Sequence, residues 1–545
     1  MYNYQVERKK LNTAFKNSKD VLMLDIMALG KPAVLCFVDG LTNKEIIDRN
    51  VIEPLKRCDI DFKARASERF NSTIKNIDCI DITSILDENN NCNATDFYNA
   101  SDLSSNECVE SENRQNLLHR DTTCVEVGGS DVITADIINK VIYITDPIIV
   151  CDTFEKMISM IASGDVGLMI EGAESYFVLS LRDYKVRGIT EPPVSTVLRG
   201  PREGFVEDMK VNMTMIRRRF KTPDLVFDLM QVGKYSGTQL AVAYIDGVAD
   251  ENIVNEIKKR ISQINCDGII DSSYIAKYIE DNQYSLFNQV GMAEKPDIVA
   301  GKLLEGRVAI VVDGSPTVLT LPFVLFEHFQ ASEDYYIKSY RASTIRILRV
   351  IAMIIAICLP AAYVALQEFQ YHMFPLKLLV VIMNSLQGVP LTPTIEMLVL
   401  LVVFEILNEA SVRMPRYVGT ALSIVGAIVL GESAVSAGLL SVPALLVTAM
   451  STIGLYCVPD EVDAGSILRI LFVGIAGVLG IFGLILAVIV LFAYMVNLKN
   501  FGTAYLAPFT PLLPSDLKDA MVKEHLIDMK KRPFSIPTKN RVRAK

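Results

Sequence analysis

The chain has 545 residues, a formal net charge of −9 at pH 7 and a mean hydropathy of +0.31. This length exceeds one ordinary domain, because single cores stop growing at roughly 250–300 residues. The hydrophobic share is 50%, and the excess is concentrated after Tyr340, which is typical of a membrane-embedded half. The acidic balance argues against a nucleic-acid partner.

The beginning of the chain is polar, and residues 1–31 contain no apolar core followed by small residues of the kind that marks a secretory leader. We therefore expect a cytoplasmic N-terminal region. The ten cysteines are scattered singly, which favours reduced thiols. The four histidines are widely spaced and no phosphate-binding or nucleophile motif occurs, so we expect no metal, no cofactor and no enzyme activity.

Two stretches of the N-terminal half share one pattern. Residues 33–47 (AVLCFVDGLTNKEII) and 241–254 (AVAYIDGVADENIV) each read as an apolar strand, an Asp-Gly turn and an amphipathic helix. Two related α/β subdomains are predicted, although such units are common and chance similarity stays an alternative. A strand at Val308–Val312, also followed by Asp-Gly, and its partner at Val318–Leu321 extend the second one.

Between the two repeats, residues 87–131 are rich in Asn, Ser, Asp and Glu and lack hydrophobic periodicity, which predicts a disordered insertion. Residues 152–161 follow a helix pattern, and residues 166–170 and 176–181 alternate as a hairpin. Residues 204–221 predict a further helix that ends in Arg217, Arg218 and Arg219. These arginines complement the helix dipole, and they are candidates for the membrane surface or for coupling to another subunit.

Long apolar runs fill the second half. The run 347–366 follows Arg346 and Arg349, and this basic flank predicts a cytoplasmic side by the positive-inside rule. The run 467–496 precedes a basic tail. With both ends of the apolar region on the cytoplasmic side, the number of membrane crossings must be even. The segments between the two long runs are shorter and interrupted by Pro and Gly, which indicates broken helices and roughly four to six crossings.

The apolar segments carry a few charges. Glu405, Glu409 and Arg413 recur every four residues, which predicts a stripe that points inward, and Glu396 begins the same segment. The set of candidate pore or buried membrane charges is Glu396, Glu405, Glu409, Arg413, Arg416 and Glu432. Rings of such carboxylates would favour cations. The alternative is an intrahelical Glu409–Arg413 pair, with Arg416 and Glu432 at the headgroup level.

Several long segments resemble the A subunits of GerA-type spore germination receptors. They are residues 198–225 (LRGPREGFVEDMKVNMTMIRRRFKTPDL), 307–336, 404–416 (FEILNEASVRMPR), 419–435 and 501–512 (FGTAYLAPFTPL). The similarity covers most of residues 141–517 and is weaker around residues 37–55. No family motif falls in the insertion.

The resemblance implies an integral protein of the spore inner membrane, with a cytosolic two-part α/β region and a helical membrane domain. It also implies a homo-oligomer, a pentamer, that forms a nutrient-gated channel releasing monovalent cations. The implied partners are a transporter-like B subunit, which binds the nutrient, a lipoprotein C subunit, and membrane lipid. Three alternatives remain. The chain could be the related stage-V sporulation membrane protein. It could instead be a secondary transporter that binds the germinant itself, or a non-conducting scaffold.

The predicted fold is therefore an α/β cytosolic N-terminal region of two subdomains joined to an all-α polytopic membrane domain. We expect the first subdomain in residues 1–86 and 132–222, interrupted by the insertion, and the second in 223–340. The transmembrane domain is expected in 341–498, and a basic cytosolic tail in 499–545.

Overall fold

The computed structural model describes residues 4–16, 18–56, 135–142, 148–181, 199–413, 433–525 and 527–544. The insertion predicted at 87–131, and the candidate charges Arg416 and Glu432, lie outside these residues. The chain divides into two compact units: residues 1–16 with 20–184, and residues 17–19 with 185–545. Each unit contains one five-stranded sheet, and the second unit also contains the long apolar helices.

The sheet of the first unit has the order β1-β2-β4-β5-β3, and all its pairs are antiparallel. Its strands are β1 Val21–Ala28, β2 Lys31–Val38, β3 Ile149–Cys151, β4 Val166–Ile170 and β5 Tyr176–Leu179. Its helices are α1 Tyr4–Ala14, α2 Lys44–Ile47, which continues as a π-helical turn over Asp48–Ile52, α3 Ala135–Val141 and α4 Phe154–Ala162. The predicted hairpin is confirmed, with Val166 opposite Leu179.

The sheet of the second unit has the order β6-β7-β9-β10-β8 and repeats the first strand for strand. Its strands are β6 Leu225–Val232, β7 Thr238–Ile245, β8 Gly291–Ala293, β9 Val308–Val312 and β10 Val318–Leu321. The helices α5 Met209–Arg217, α6 Glu251–Gln263, α7 Ser272–Ile279 and α8 Pro296–Leu304 belong to the same unit. The two sheets confirm the predicted pair of α/β subdomains, and they share one strand order.

The predicted helix 204–221 is shorter in the structure and begins at Met209. Asp208 is the N-cap, and its carboxylate accepts hydrogen bonds from the backbone N–H groups of Lys210 and Val211. Such a cap satisfies donors that the helix itself leaves unpaired. Met209, Met213 and Ile216 are buried on one face, in one core with the second sheet.

The apolar part of the second unit is a helix bundle. Its helices are α9 Ser339–Glu368, α10 Leu376–Leu386, α11 Pro393–Arg413, α12 Val442–Tyr456 and α13 Val462–Asn497. Two helical stretches of the described residues, Ser339–Glu368 and Pro459–Asn497, are long and apolar enough to cross a membrane. A short hairpin, β11 Lys499–Asn500 with β12 Thr503–Ala504, and the C-terminal segment follow.

The helix α13 is not one straight rod, although the run 467–496 reads as one helix in the sequence. Gly480 has φ 64° and ψ −151°, and a Cβ built on Gly483 would lie 3.0 Å from the carbonyl oxygen of Ile475. Residues eight apart in a straight helix are separated by about 12 Å. The close approach therefore shows that the chain reverses direction at Gly480. Only glycine adopts this backbone conformation without strain.

Contacts at both ends of α13 agree with this reversal. The side-chain amide of Asn288 donates to the carbonyl oxygen of Asp460 at 3.4 Å, while the ring of the adjacent Phe287 lies 6.4 Å from that of Tyr494. A straight helix would hold Asp460 and Tyr494 about 50 Å apart. The two arms, 462–479 and 481–497, are each roughly 25–27 Å long, close to the thickness of a hydrocarbon core.

The bundle consequently has two distinct ends. We call the end beside Ser339, Asp460 and Asn497 the α/β end, because the second sheet and its loops contact it. The opposite end holds Glu368, Thr394 and Gly480, and we call it the far end. There Thr394 donates to Glu368, with its Oγ1 2.7 Å from Oε2, and Phe369 lies against Gly480.

Candidate functional site

The joint between the second sheet and α9 is an ion cluster. Asp334 belongs to a 3₁₀ turn, Ser332–Tyr335, directly before α9, and Arg346 and Arg349 lie three residues apart on one face of that helix. The Asp334 Oδ2 atom is 3.0 Å from Arg346 Nε and 2.9 Å from Arg349 Nη1. Arg346 and Asp334 are both fully buried, so the carboxylate is satisfied by the arginines rather than by water.

The C-terminal segment completes the cluster. The Asp519 Oδ1 atom lies 2.9 Å from Arg346 Nη1, and the Tyr335 hydroxyl donates to Asp519 Oδ2 at 3.0 Å. Lys523 donates from Nζ to the Asp334 carbonyl oxygen at 2.7 Å. Burial raises the pKa of the Asp519 carboxyl and Arg346 opposes that rise. Three parts of the chain thus meet here, and we call these residues and Arg349 the joint cluster.

A second contact joins the sheet side to the beginning of α13. His328 lies in a 3₁₀ turn, Leu325–Phe329, and its Nε2 atom is 2.7 Å from Glu461 Oε1. Burial alone would lower the pKa of His328, but Asp460 and Glu461 outweigh it and raise the pKa to about 9. The imidazolium and the carboxylate therefore form a buried ion pair at neutral pH.

The same 3₁₀ turn is tied to the second sheet. Glu327 contacts both Lys302 and Arg307, and the Arg307 guanidinium also donates to the Pro322 carbonyl oxygen at 2.5 Å. Burial, followed by the nearby Arg307 charge, lowers the pKa of Lys302. The turn that bears His328 is therefore bound to the second sheet by charged side chains. A displacement of the sheet would move this turn as well.

Within the bundle, Glu405 is paired with Arg469. The Glu405 Oε2 atom is 2.7 Å from Arg469 Nη2, and Ser466 donates to Glu405 Oε1 at 3.1 Å. Arg469 lies on the first arm of α13 and is only 1% exposed. The pair neutralises two charges where burial of either alone would be costly.

The other two charges of the predicted stripe pair with each other. The Arg413 Nη2 atom is 2.5 Å from Glu409 Oε1, and the side chains are 78% and 61% exposed on the single chain. The predicted every-fourth-residue spacing thus brings Glu409 and Arg413 together, near the C-terminal end of α11. On one copy of the chain this pair has no covering element among the described residues.

Glu396 has a different environment from the other carboxylates of α11. It is fully buried near the far end, and its Oε1 atom accepts a hydrogen bond from the backbone N–H of Ser441. The Oε2 atom has no hydrogen-bond partner in the described part of the chain. None of the ion pairs among the described residues includes Glu396.

The arginine run at the end of α5 lies in the α/β region. Arg217 is 1% exposed, donates to the Leu225 carbonyl oxygen at 2.9 Å and lies over the ring of Phe227. Arg219 is 3.1 Å from Glu203, and Arg218 is 3.8 Å from the same carboxylate. These arginines thus have partners within the second unit, whereas Arg346 and Arg349 belong to the joint cluster.

Sequence reasoning missed several residues of these sites. Arg469 was visible as a lone charge in an apolar run, a pattern that marks a buried intramembrane partner. Asp334 and Asp519 are ordinary surface carboxylates by sequence pattern, and His328 is an isolated histidine. Only the fold brings these three beside their partners. Among the described residues, no group of three or more His, Cys, Asp or Glu side chains is arranged to hold a metal ion.

Comparisons with known proteins identify the family to which the chain belongs. Residues 90–535 match the family model described as Bacillus/Clostridium GerA spore germination protein. Spore germination protein KA of Bacillus subtilis is 39% identical over 393 residues, which are 72% of each chain. Spore germination protein GerQA of Bacillus cereus is 36% identical and covers 66% of this chain and 72% of its own.

Two further similarities follow. Spore germination protein A1 of Bacillus subtilis is 32% identical over 71% of this chain and 80% of its own. The crystal structure of the N-terminal domain of the A subunit of the Bacillus megaterium spore germinant receptor GerK3 is 23% identical, with a TM-score of 0.36, covering 58% of this chain and 92% of that chain. From the family match and the three relatives that are 32–39% identical, the chain is a membrane-associated member of the GerA family of spore germination proteins.

Proposed function

We propose that this chain is the A subunit of a germinant receptor, and that its copies assemble into a channel that releases monovalent cations. The nutrient signal would come from a transporter-like B subunit and a lipoprotein C subunit in the spore inner membrane. The assembly would be a homopentamer without catalytic activity. The family supports the receptor role, and the exposed charges of α11 support the channel.

The observation that carries the channel is the exposure of Glu409 and Arg413. Both charges stand on a largely apolar helix, and contact with lipid would be unfavourable for each, by about 3 kcal/mol at the membrane centre and by less towards the helix end where they lie. Even a close ion pair does not remove this cost when more than half of each side chain is uncovered. A water-filled path between copies of the chain would solvate both charges, so this helix face is the candidate pore lining.

The position of the pair suggests where along the pore it acts. Glu405 is level with Ser466 and Arg469, which lie in the first turns of α13 at the α/β end. Glu409 and Arg413 follow Glu405 towards that end, because α11 runs from the far end. Repeated around a ring, the Glu409 carboxylates would concentrate cations at the mouth of the pore that faces the α/β subdomains.

The bundle geometry supports six crossings. The helices α9, α11 and α12 and the two arms of α13 account for five passages between the ends. Arg413, the last residue of α11, lies at the α/β end, and Ser441 lies at the far end beside Glu396, so these positions are consistent with six passages in all. Six passages leave both termini on one side, and the basic flank before α9 favours the cytosol.

Oligomerisation and conduction are tested on the purified full-length chain. Native mass spectrometry in nanodiscs should give a multiple of the 60.4 kDa chain mass, with the pentamer as the expected multiple. The same sample in liposomes should release potassium, and Glu409→Gln should slow this release. A strictly monomeric chain, or potassium release that Glu405→Gln and Glu409→Gln both leave unchanged, would contradict the proposal.

A further inference from the structure

A polar stripe interrupts the apolar surface of α9 near the far end. Tyr363 and Gln367 are four residues apart and share one face, and Gln370 follows just beyond the helix end. The Tyr363 hydroxyl, both polar atoms of the Gln367 amide and the Gln370 Oε1 atom are buried, and none of them has a hydrogen-bond partner within 3.5 Å in the described part of the chain. Each such atom costs about 1–3 kcal/mol if it stays unsatisfied.

Glu396 lies opposite this stripe. The Tyr363 hydroxyl lies within hydrogen-bonding reach of the Ser441 side chain and close enough to Glu396 to interact with it electrostatically, and the Ser441 N–H donates to Glu396 Oε1. The remaining carboxylate oxygen, Oε2, is buried without a partner. Tyr363 is 7% exposed and Glu396 is fully buried, so water cannot reach either group freely from outside the bundle.

The neighbouring carboxylate is already engaged. Both oxygens of Glu368 accept hydrogen bonds from Thr394, one from its backbone N–H at 3.1 Å and one from its hydroxyl at 2.7 Å. Glu368 thereby caps the first turn of α11, where the helix dipole favours a negative charge. Glu396 sits in the same turn without a cationic side chain beside it among the described residues, which distinguishes it from Glu405.

We propose that Glu396, Tyr363, Gln367 and Ser441 form a binding site for a dehydrated monovalent alkali cation. The donors are one carboxylate oxygen, hydroxyl oxygens and an amide oxygen, which are hard ligands suited to such an ion. The site has a single negative charge, whereas Mg²⁺ and Ca²⁺ sites generally use more carboxylates. A bound cation neutralises Glu396 and gives the orphaned oxygens a partner.

This site rests on the proposed function in that it assigns the released ion a residence inside each copy of the chain. It is independent of the pair at Glu409 and Arg413, since it lies at the far end of the bundle. Binding can therefore be measured without conduction. A ligand that binds only the native state raises stability in proportion to the logarithm of its concentration above Kd.

The test is the thermal unfolding midpoint of the purified full-length protein, titrated with potassium chloride or sodium chloride. Choline chloride keeps ionic strength constant, because choline is too large for the site. We expect a saturable rise in the midpoint with an alkali cation. Glu396→Gln should raise the half-saturating concentration at least tenfold, and Tyr363→Phe, which removes one ligand and little volume, about threefold.

Asp463→Asn is the matched control, since it is the same carboxyl-to-amide change at an exposed position at the opposite end of the bundle. It should leave the titration unchanged. The site is refuted if choline stabilises the wild type as well as potassium does, or if Glu396→Gln and Tyr363→Phe both titrate like wild type. A preference for magnesium chloride over both alkali salts would also refute it. Normal potassium stabilisation with no liposome flux would instead contradict only the channel.

Discussion

Arg346 and Asp519 form a partly buried ion pair of 2.9 Å between the first long apolar helix and the C-terminal segment, 173 residues later in the chain. Asp334 holds the other side of the same guanidinium. The C-terminal segment is thus fixed to the joint between the second sheet and the bundle. If the sheet moves relative to α9, these ion pairs must either break or move together with the sheet.

The joint cluster predicts a ranking of two carboxyl substitutions. Asp334→Asn should destabilise the protein more than Asp519→Asn, because Asp334 binds two arginines and is 1% exposed, whereas the Asp519 side chain is 24% exposed. Breaking a buried pair by removing one partner costs about 3–5 kcal/mol. Chemical denaturation of the purified protein measures this. The exposed Arg341→Gln serves as control, and a larger loss for Asp519→Asn would contradict the ranking.

The Glu405–Arg469 ion pair predicts that substitutions of its two residues lower the free energy of unfolding by unequal amounts. Glu405→Leu leaves a guanidinium buried at 1% exposure, while Arg469→Leu leaves a carboxylate that is still 38% exposed. The first change should therefore lower the unfolding free energy more, by about 3–5 kcal/mol. The double variant should be more stable than Glu405→Leu alone. Equal single effects that add in the double variant would show that the two charges do not interact.

The ion pair of His328 predicts a pH dependence with a definite sign. The pKa in the folded protein is about 9 against an ordinary 6.5, so folding favours the protonated form. The stabilisation is complete below about pH 6.5, is lost as the pH rises through 9, and amounts to roughly 3 kcal/mol at most.

The measurement is the unfolding midpoint of the purified protein between pH 6 and 10. The wild type should lose more stability over this range than His328→Gln, since other groups titrate alike in both. His372→Gln, at an exposed position, should keep the wild-type profile. A His328→Gln profile that runs parallel to wild type would disprove the buried imidazolium.

The reversal of α13 predicts that Gly480 tolerates no side chain. Its φ of 64° with ψ −151° is a conformation that costs other residues about 1–3 kcal/mol, and a Cβ there would lie 3.1 Å from the ring of Phe369. Gly480→Ala should lower the unfolding midpoint. Gly474→Ala is the matched control, because a Cβ at that position meets nothing within 4 Å. If the two variants are equally stable, α13 does not turn at Gly480.

Local patterns in the sequence were sufficient for the α/β subdomains. The strand, Asp-Gly turn and helix of residues 33–47 and 241–254 are signals of short range, and the structure pairs both strands in sheets of the same order. The membrane half was recognised from its apolar runs for the same reason. The contact between Glu409 and Arg413 is the intrahelical pair that stood as the alternative to an inward-pointing stripe, because residues four apart are neighbours on a helix.

The remaining features depend on contacts between distant parts of the chain. Periodicity cannot distinguish a 36-residue helix from two arms that reverse at one glycine, since both arms are uniformly apolar. Glu405 and Arg469 are separated by 64 residues, and their contact follows only from the packing of α11 against α13. Glu396 was found by its type, but its isolation from every described cation required the structure.

The most direct test of the channel is the reversal potential of the purified full-length chain in a planar bilayer under a potassium chloride gradient. We expect a conductance whose reversal potential lies between zero and the potassium equilibrium potential, on the cation-selective side. Glu409→Gln should shift the reversal potential towards zero, and Arg413→Gln should shift it the other way, because it frees the carboxylate of Glu409. A reversal potential on the anion-selective side of zero, or one that neither substitution moves, would contradict the proposed pore.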